Sequence, residues 1–568
     1  MTVPPETPDR DGAYPRLSEG QLERLAAAGE RVRTSEGEFL FREGDDQYDF
    51  FVVLSGRVAI TQGSLPDLRL IAIHGPGRFL GELGLLTGQH ALFSATVAEA
   101  GEVLRVPVER VRERVVQDPG LGDLILRAFI QRREILIDLG AGLKLIGSCY
   151  SPDTRRLLEF LARNRVPHRW IDLEADTGAE ALLRELGIPP EQTPVVIWNG
   201  EVLRNPSNGE LARALRLSEP EAAGEVCDVV VVGAGPAGLA AAVYGASEGL
   251  GTVALEGVAA GGQAGTSSRI ENYLGFPAGL SGAELAERAR LQAEKFGARL
   301  TIPAEAVALR AENGHHVVEL DDGNSVAAHT VVVATGARYR KLPVPGLDRF
   351  EGRSVFYAAT HVEARVCAGD PVAVVGGGNS AGQAALFLAQ YASVVHLIVR
   401  DDSLDVNTSR YLADRIEHAP SIEVLLSAEV REPLGDETLE GVIVEERPTG
   451  ERRELAARAL FVFVGAKPHS DWLGAQLALD AKGFVLTGRD AEAAWSGTGR
   501  RPLMLETSRP GVMAAGDVRA GSIKRVASAA GEGSMAISIV HEHLAAQRGA
   551  QHAALTTGQA PQTNVSST

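Results

Sequence analysis

The stretch Val229–Glu256, VVVVGAGPAGLAAAVYGASEGLGTVALE, decides how this chain is read. Four successive valines make a strand that is apolar on both faces, as a parallel strand covered by helices must be. Gly233, Gly235 and Gly238 follow as G-x-G-x-x-G, with Pro236 and Ala237 opening a helical pattern. A second apolar run ends in an acid, Glu256. A strand, a glycine turn and a helix N-terminus present backbone N–H groups to a pyrophosphate, and an acid at the end of the next strand can bond a ribose hydroxyl. The stretch reads as a dinucleotide site.

A second motif of the same kind stands in PVAVVGGGNSAGQAALFLAQ from Pro371, where Gly376, Gly378 and Ala381 give G-x-G-x-x-A around Asn379 and Ser380. Two such sites imply two cofactors. Glu256 lies 18 residues after Gly238, whereas the residue 18 after Ala381 is the neutral Val399, followed by Arg400. An acid suits a free ribose hydroxyl and an arginine suits a 2′-phosphate. The first site is therefore expected to hold FAD and the second NADPH, with NADH as the alternative. Arg410 is a second candidate for the 2′-phosphate. Gly378-Asn379-Ser380-Ala381-Gly382 also spells the G-x-S-x-G of a hydrolase nucleophile, but the overlapping glycine motif accounts for the same residues.

Length and composition place these motifs in a larger chain. At 568 residues it has room for several domains, and an apolar fraction of 45% supplies their cores. The net charge of −18 would repel an extended phosphate backbone, so no nucleic-acid partner is expected. Cys149, Cys227 and Cys367 are odd in number and far apart, and no pair makes CxxC. The start, MTVPPETPDRDG, is polar and is no signal peptide, and the apolar runs are too broken to span a membrane. A cytoplasmic location is expected. No histidine or cysteine spacing suits a metal.

Residues 1–14 are polar and are expected to form a flexible leader. Short strand patterns split by glycine turns follow: EFLFREGD, FFVVLSGRVAIT, LIAIHGPGRFLGELGLL and FSATVAE, then two amphipathic helices. With Gly44, Gly56 and Gly77 at turns and Gly81-Glu82-Leu83 as G-E-L, residues 15–140 resemble the cyclic-nucleotide-binding domain. The resemblance implies Glu82 on a ribose hydroxyl and the loop amides on the cyclic phosphate. It also implies an arginine where this chain has Phe93. A buried phosphate without a fixed cation lacks its main partner, so a sensory or docking module that has lost its nucleotide is the favoured reading.

Residues 141–217 read strand, turn, helix and further strands, and resemble the thioredoxin or glutaredoxin fold, with Thr193-Pro194 at its proline turn. In place of C-x-x-C stand Ser151-Pro152-Asp153-Thr154, so thiol exchange at that turn is lost. An acidic linker, residues 218–225, leads into the flavoprotein part.

Residues 226–548 resemble low-molecular-weight thioredoxin reductase along their whole length. The motifs are Gly261-Gly262-Gln263, ENYLGFP with Asn272, Ala334-Thr335-Gly336, FVFVGAKP, PGVMAAGDV with Gly516 and Asp517, and KRVASAAGEG beginning Lys524-Arg525-Val526-Ala527. The resemblance implies that Gly262, Gln263, Asn272, Val307, the Ala334–Gly336 turn, Gly516, Asp517 and residues 524–527 border the FAD. It implies a split FAD domain, 226–342 and 467–548, around an NAD(P)H domain at 343–466, a disordered tail at 549–568, and a homodimer. The architecture expected is an N-terminal β-roll with helices, a thioredoxin-like α/β module, and two Rossmann-like domains of the thioredoxin reductase type.

One departure bears on chemistry. Where that family has Y-C-A-T-C, this chain has Tyr357-Ala358-Ala359-Thr360-His361, and the following acid is Val362. The expected function is hydride transfer from NADPH to FAD and onward to an external acceptor, a small molecule or a protein, with His361 the remaining candidate near the flavin. The alternatives are a disulfide reductase acting on a docked thioredoxin-like partner and a low-turnover flavin redox sensor.

Overall fold

The computed structural model describes residues 4–63, 68–176, 178–217, 226–267, 270, 273–312, 314–351, 353–357, 359, 361–497 and 500–557, with the side chains of 338, 339, 361, 362, 366, 466 and 550–557 outside that description. The chain divides into two compact units, Met1–Glu219 and Pro220–Thr568.

The first unit begins with an antiparallel roll. Its long strands, Phe50–Gln62 and Ser94–Val106, pair along most of their length and are flanked by Glu30–Thr34, Phe39–Phe41 and Arg69–His74. Alternate residues face a core built on Phe50, Phe79 and Phe129, the last on the helix Pro119–Asp138. Asp118 caps that helix by accepting from the Leu121 amide at 3.1 Å. Residues 4–14 do not hang free, as a flexible leader would. The Thr7 amide donates to Ile73 at 3.1 Å, Glu6 pairs with Arg78 at 2.7 Å, and Ala13 and Tyr14 are buried. The apolar Tyr14 ring, packed edge-on against His74, outweighs the polar composition of the segment.

A four-stranded sheet completes this unit. Leu143–Gly147 is central, parallel to His168–Asp172 and antiparallel to Val195–Trp198, which pairs with Glu201–Arg204. The helix Pro152–Arg163 follows the first strand, and the Thr193–Pro194 peptide is cis.

The second unit is organised around the strand Cys227–Val232. It lies parallel to Thr252–Leu255 on one side and to Ser325–Val333 on the other, and Val229–Val232 are at most 3% exposed. Ser325–Val333 is also parallel to Val512–Ala514 and antiparallel to His315–Leu320, so a late strand returns to the first sheet. Between them a second parallel sheet runs in the order Val355–Phe356, Ala459–Val462, Pro371–Val375, Val394–Ile398, Ile422–Leu425. The two passages between the sheets pair with each other, Ala337–Tyr339 against Ala466–Pro468. The last helix runs Val526–Thr557, so residues 549–557 continue it instead of forming a disordered tail; 558–568 lie outside the described residues.

Candidate functional site

The first glycine turn is held by backbone. Gly233 has φ +102°, and a Cβ there would lie 2.5 Å from the Ala334 carbonyl oxygen. A Cβ on Gly238 would lie 1.7 Å from the Gly233 carbonyl oxygen. These two glycines let strand, turn and helix close on one another. Gly235 differs, because its Cβ would meet only the Gly262 Cα, at 3.8 Å. It is the N-cap of the helix Pro236–Ser247, with proline at the first turn where no N–H is missed. A cradle that only a side chain would fill, at a helix N-terminus, fits a pyrophosphate.

Glu256 stands at the end of the neighbouring strand. Its carboxylate accepts from the Ala234 amide at 2.9 Å and the Val258 amide at 3.2 Å, so it is fixed beside the turn. Gly516 packs against the same helix, its Cβ position 2.9 Å from the Ala237 Cβ, and its amide donates to Glu532 at 2.7 Å. Burial alone would raise the Glu532 carboxyl, but Arg519, at 2.7 Å, and the Gly516 amide hold it below the usual range. Asp517 is raised, chiefly by burial. Gly533 lies two turns into the opposing helix, its Cβ position 2.0 Å from the Ala237 carbonyl oxygen. The residues of the chain's last quarter thus return to the first turn.

The Gln263 side chain donates to the Ala337 carbonyl, and Thr335 donates to the His469 carbonyl at 2.6 Å, which ties Ala334–Gly336 to the crossing strands. Lys524 lies over the Phe484 ring at 4.8 Å, Arg525 is exposed, and Val526 and Ala527 open the last helix. Val307 is 44% exposed on Ala306–Glu312, two residues after Glu305, which borders Gly257. Asn272 lies outside the described residues. The donor set, the open cradle and the placed acid fit FAD.

The second turn repeats the first in part. Gly376 has φ +144° and a Cβ position 2.5 Å from the Phe463 carbonyl oxygen; Gly378, N-cap of Asn379–Leu388, is open, with nothing nearer than Asn407 at 3.9 Å. Ala381 takes the third place and is buried. Asn379 accepts from the Ser409 amide at 2.7 Å and Thr408 donates to the Gly377 carbonyl at 2.9 Å, so the loop 404–409 is pinned to the turn. Ser380 is exposed on the helix. This turn fits a dinucleotide pyrophosphate.

Around it stand the two arginines named for a 2′-phosphate. Val399 is fully buried and Arg400 is exposed. Arg410 is exposed too, and pairs with Asp405 at 3.2 Å and with Asp414 at 3.2 Å. A residue that counting along the sequence missed, Asp401, brings its carboxylate to 3.6 Å from a Cβ position on Gly377.

Tyr357 donates to Glu351 at 2.7 Å, and burial, then this bond, raises its phenol. Ala359 is buried, Ala358 and Thr360 lie outside the described residues, and His361 opens the helix His361–Val366, its side chain outside the description. Cys367 is 1% exposed, its thiol donating to the Glu363 carbonyl at 3.1 Å and pushed up to about 12 by burial. Cys149 is pushed up to about 11 by burial and by Asp172, and Cys227 is buried in a strand. Thiolate reactivity requires the opposite shift.

In the first unit, Glu82 is engaged within the protein. It is fully buried and bound by Arg133, at 2.6 Å and 2.9 Å, and by the Gly84 amide at 2.7 Å. Gly81 and Phe93 border a cavity of about 20 Å³, with Tyr14, His74 and Arg132. Leu83 is buried in the helix Leu83–Thr87. The cation that a buried carboxylate needs comes here from within the protein. Among the described residues, no helix is long and apolar enough to cross a membrane, and no group of three or more His, Cys, Asp or Glu could hold a metal.

Comparison with known proteins agrees with this geometry. Residues 227–533 match the family of pyridine nucleotide-disulphide oxidoreductases, and residues 31–118 match the cyclic nucleotide-binding domain. Thioredoxin reductase of Streptomyces clavuligerus is 35% identical over 57% of this chain and 95% of its own length. NADPH-dependent thioredoxin reductase 3 of Arabidopsis thaliana is 34% identical over 60% of this chain, and the match spans only 65% of that protein. The crystal structure of T. acidophilum thioredoxin reductase superposes with a TM-score of 0.51 at 30% identity, over 56% of this chain and 99% of that one. The cofactors of that family are FAD and NADPH. The chain belongs to the FAD-dependent pyridine nucleotide-disulphide oxidoreductases of the thioredoxin reductase type, with a cyclic nucleotide-binding domain at its N-terminal end.

Proposed function

We propose that this protein takes two electrons as hydride from a reduced nicotinamide dinucleotide onto FAD and passes them to an acceptor that is not a disulfide of its own chain. When bound, the flavin supplies the redox chemistry, and the protein supplies position and charge. The Gly233 turn and Glu256 hold one dinucleotide, the Gly376 turn the other. Glu532 and Gly516 fix the C-terminal side of the first site.

The observation that carries the reading is Tyr357-Ala358-Ala359-Thr360-His361, which has no sulfur where an internal disulfide would sit. Neither alanine nor imidazole undergoes thiol exchange. Of the three thiols, Cys227 and Cys367 are buried, and Cys149 is half-buried and raised by burial and by Asp172, away from the thiolate. The sheet of residues 143–204 is read as a thioredoxin-fold module spanning 141–217 and kept for docking, since Ser151 serves as a helix cap, accepting from the Thr154 amide at 3.3 Å, and Thr154 is fully buried. We assign the FAD domain to 226–342 and 467–548 and the nucleotide domain to 343–466, with a cytoplasmic homodimer as the working form. A disulfide on a docked protein is the second reading; the names of the relatives favour it.

The test is a protein with Cys149→Ser, Cys227→Ser and Cys367→Ser. Its flavin content, anaerobic reduction by nicotinamide dinucleotide and turnover with a quinone are expected to match the parent. Turnover lost with flavin retained would overturn the reading in favour of a thiol relay.

A further inference from the structure

We propose that the second dinucleotide turn selects NADH, with Asp401 reading the unphosphorylated adenosine ribose and Asp401 and Asp405 together rejecting a 2′-phosphate. The proposal rests on the assignment of the Gly376 turn to a nicotinamide dinucleotide.

Strand register carries the argument. Val232↔Leu255 and Val375↔Ile398 are equivalent pairs, each just before its glycine turn. Val399 therefore stands where Glu256 stands. Its side chain turns inward, its Cγ1 2.9 Å from the Gly377 Cβ position, and it reaches no ligand. Asp401, two residues on, supplies the missing carboxylate. Its Oδ2 lies beside the middle residue of this G-x-G, as the Glu256 Oε2 lies beside Ala234 in the other. Asn407 donates to Asp401 Oδ2 at 3.0 Å, and the Ser427 amide donates to the Asp401 carbonyl at 2.9 Å, so both the side chain and the backbone are oriented. A carboxylate in this place accepts from a ribose hydroxyl and opposes a phosphate on the same oxygen.

The surrounding charge points the same way. Asp401, Asp402 and Asp405 follow Arg400 within five residues. Arg410 is matched by Asp405 and Asp414, and Arg447 lies 3.6 Å from Glu429 and donates to the Arg400 carbonyl. Arg400 alone has no acidic partner among the described residues. One exposed arginine does not neutralise a dianion beside three acids.

The experiment titrates the full-length flavoprotein with 5′-AMP, 2′,5′-ADP, NADH and NADPH by calorimetry, and follows anaerobic bleaching of the flavin by the two reduced dinucleotides. 5′-AMP and NADH are expected to bind about tenfold or more tightly than their 2′-phosphorylated counterparts. Asp401→Ala should weaken NADH about tenfold and leave NADPH unchanged or improved, with flavin content and melting temperature constant. The pair Asp401→Arg with Asp405→Arg should invert the preference. Tighter binding of NADPH by the parent, or an equal loss of both dinucleotides in Asp401→Ala, would overturn the proposal while leaving the proposed function intact. If neither dinucleotide binds or bleaches the flavin, the proposed function falls with it.

Discussion

The turns at Gly233 and Gly376 share a backbone and differ in their walls. In each, the first glycine has positive φ and a Cβ position 2.5 Å from a carbonyl of a neighbouring strand end, Ala334 or Phe463. In each, the second glycine caps a helix and faces open space. They part at the third position, where Gly238 is clamped against Gly233 and Ala381 has room for its methyl. They part further in what covers them. The first turn is closed by Gly516, Glu532 and Gly533 from the far end of the chain, the second by the local loop 404–409. On the proposed reading the backbone makes a pyrophosphate cradle, and the walls decide how firmly a dinucleotide is held and which ribose is accepted.

The largest break in the comparison is at the third position. Gly238→Ala places a methyl inside the distance of any real contact with backbone, at a cost of about 3 kcal/mol or more, so little folded flavoprotein should be recovered. Ala381→Gly should cost only about 1 kcal/mol, the helix propensity difference, and keep its flavin. Yield and melting temperature check both.

The open glycines separate the two ligands. Gly235→Val fills the first cradle without a backbone clash, so the protein should fold and be colourless. Gly378→Val should be fully yellow yet fail to bleach with either reduced dinucleotide. A yellow Gly235→Val protein would remove FAD from the first site. Absorbance per mole of protein and anaerobic bleaching are the measurements.

The far-end closure has a pH signature. The Glu532 carboxyl is held below its ordinary value in the folded protein, so its contribution is complete above the unfolded value near 4.5 and is lost as pH falls through the lower, folded value. Glu532→Gln should loosen the flavin at neutral pH by about 1.5–3 kcal/mol, the range for a charge-assisted bond, and should lose this part of the acid dependence. Flavin fluorescence during acid titration reads both. The second turn has no such carboxylate clamp among the described residues. Thr408→Val removes one neutral bond to the Gly377 carbonyl, and dinucleotide affinity should fall by about 1 kcal/mol, roughly fivefold, with flavin unaffected.

Local features were legible before any coordinates. The valine run and each glycine motif are short runs of residues, with Glu256 18 residues beyond Gly238, so the buried strand and the tight turns follow from local sterics and burial. Counting 18 residues also led correctly to the end of the second strand, at Val399. It could not show that Val399 turns inward while Asp401 reaches back, because that depends on the bonds from Asn407 and Ser427. Composition misled at both ends of the chain. The polar N-terminal segment is anchored by Tyr14 and by Arg78–Glu6, and the Ala- and Gln-rich residues 549–557 extend a long helix.

The two glycine turns and the lack of any C-x-x-C are matters of residue type at a fixed spacing, and they can be read from the chain before it folds. Which carboxylates are already paired is set by the fold. Glu82 and Glu256 look alike as acids after glycine-rich segments. Glu82 is sealed by Arg133, 51 residues away, and Glu256 is held by two amides at an open turn. A buried carboxylate must find a cation within the fold, and an ordered one at a cradle can still accept from a ligand. That distinction lives in contacts between distant residues, which no local pattern contains.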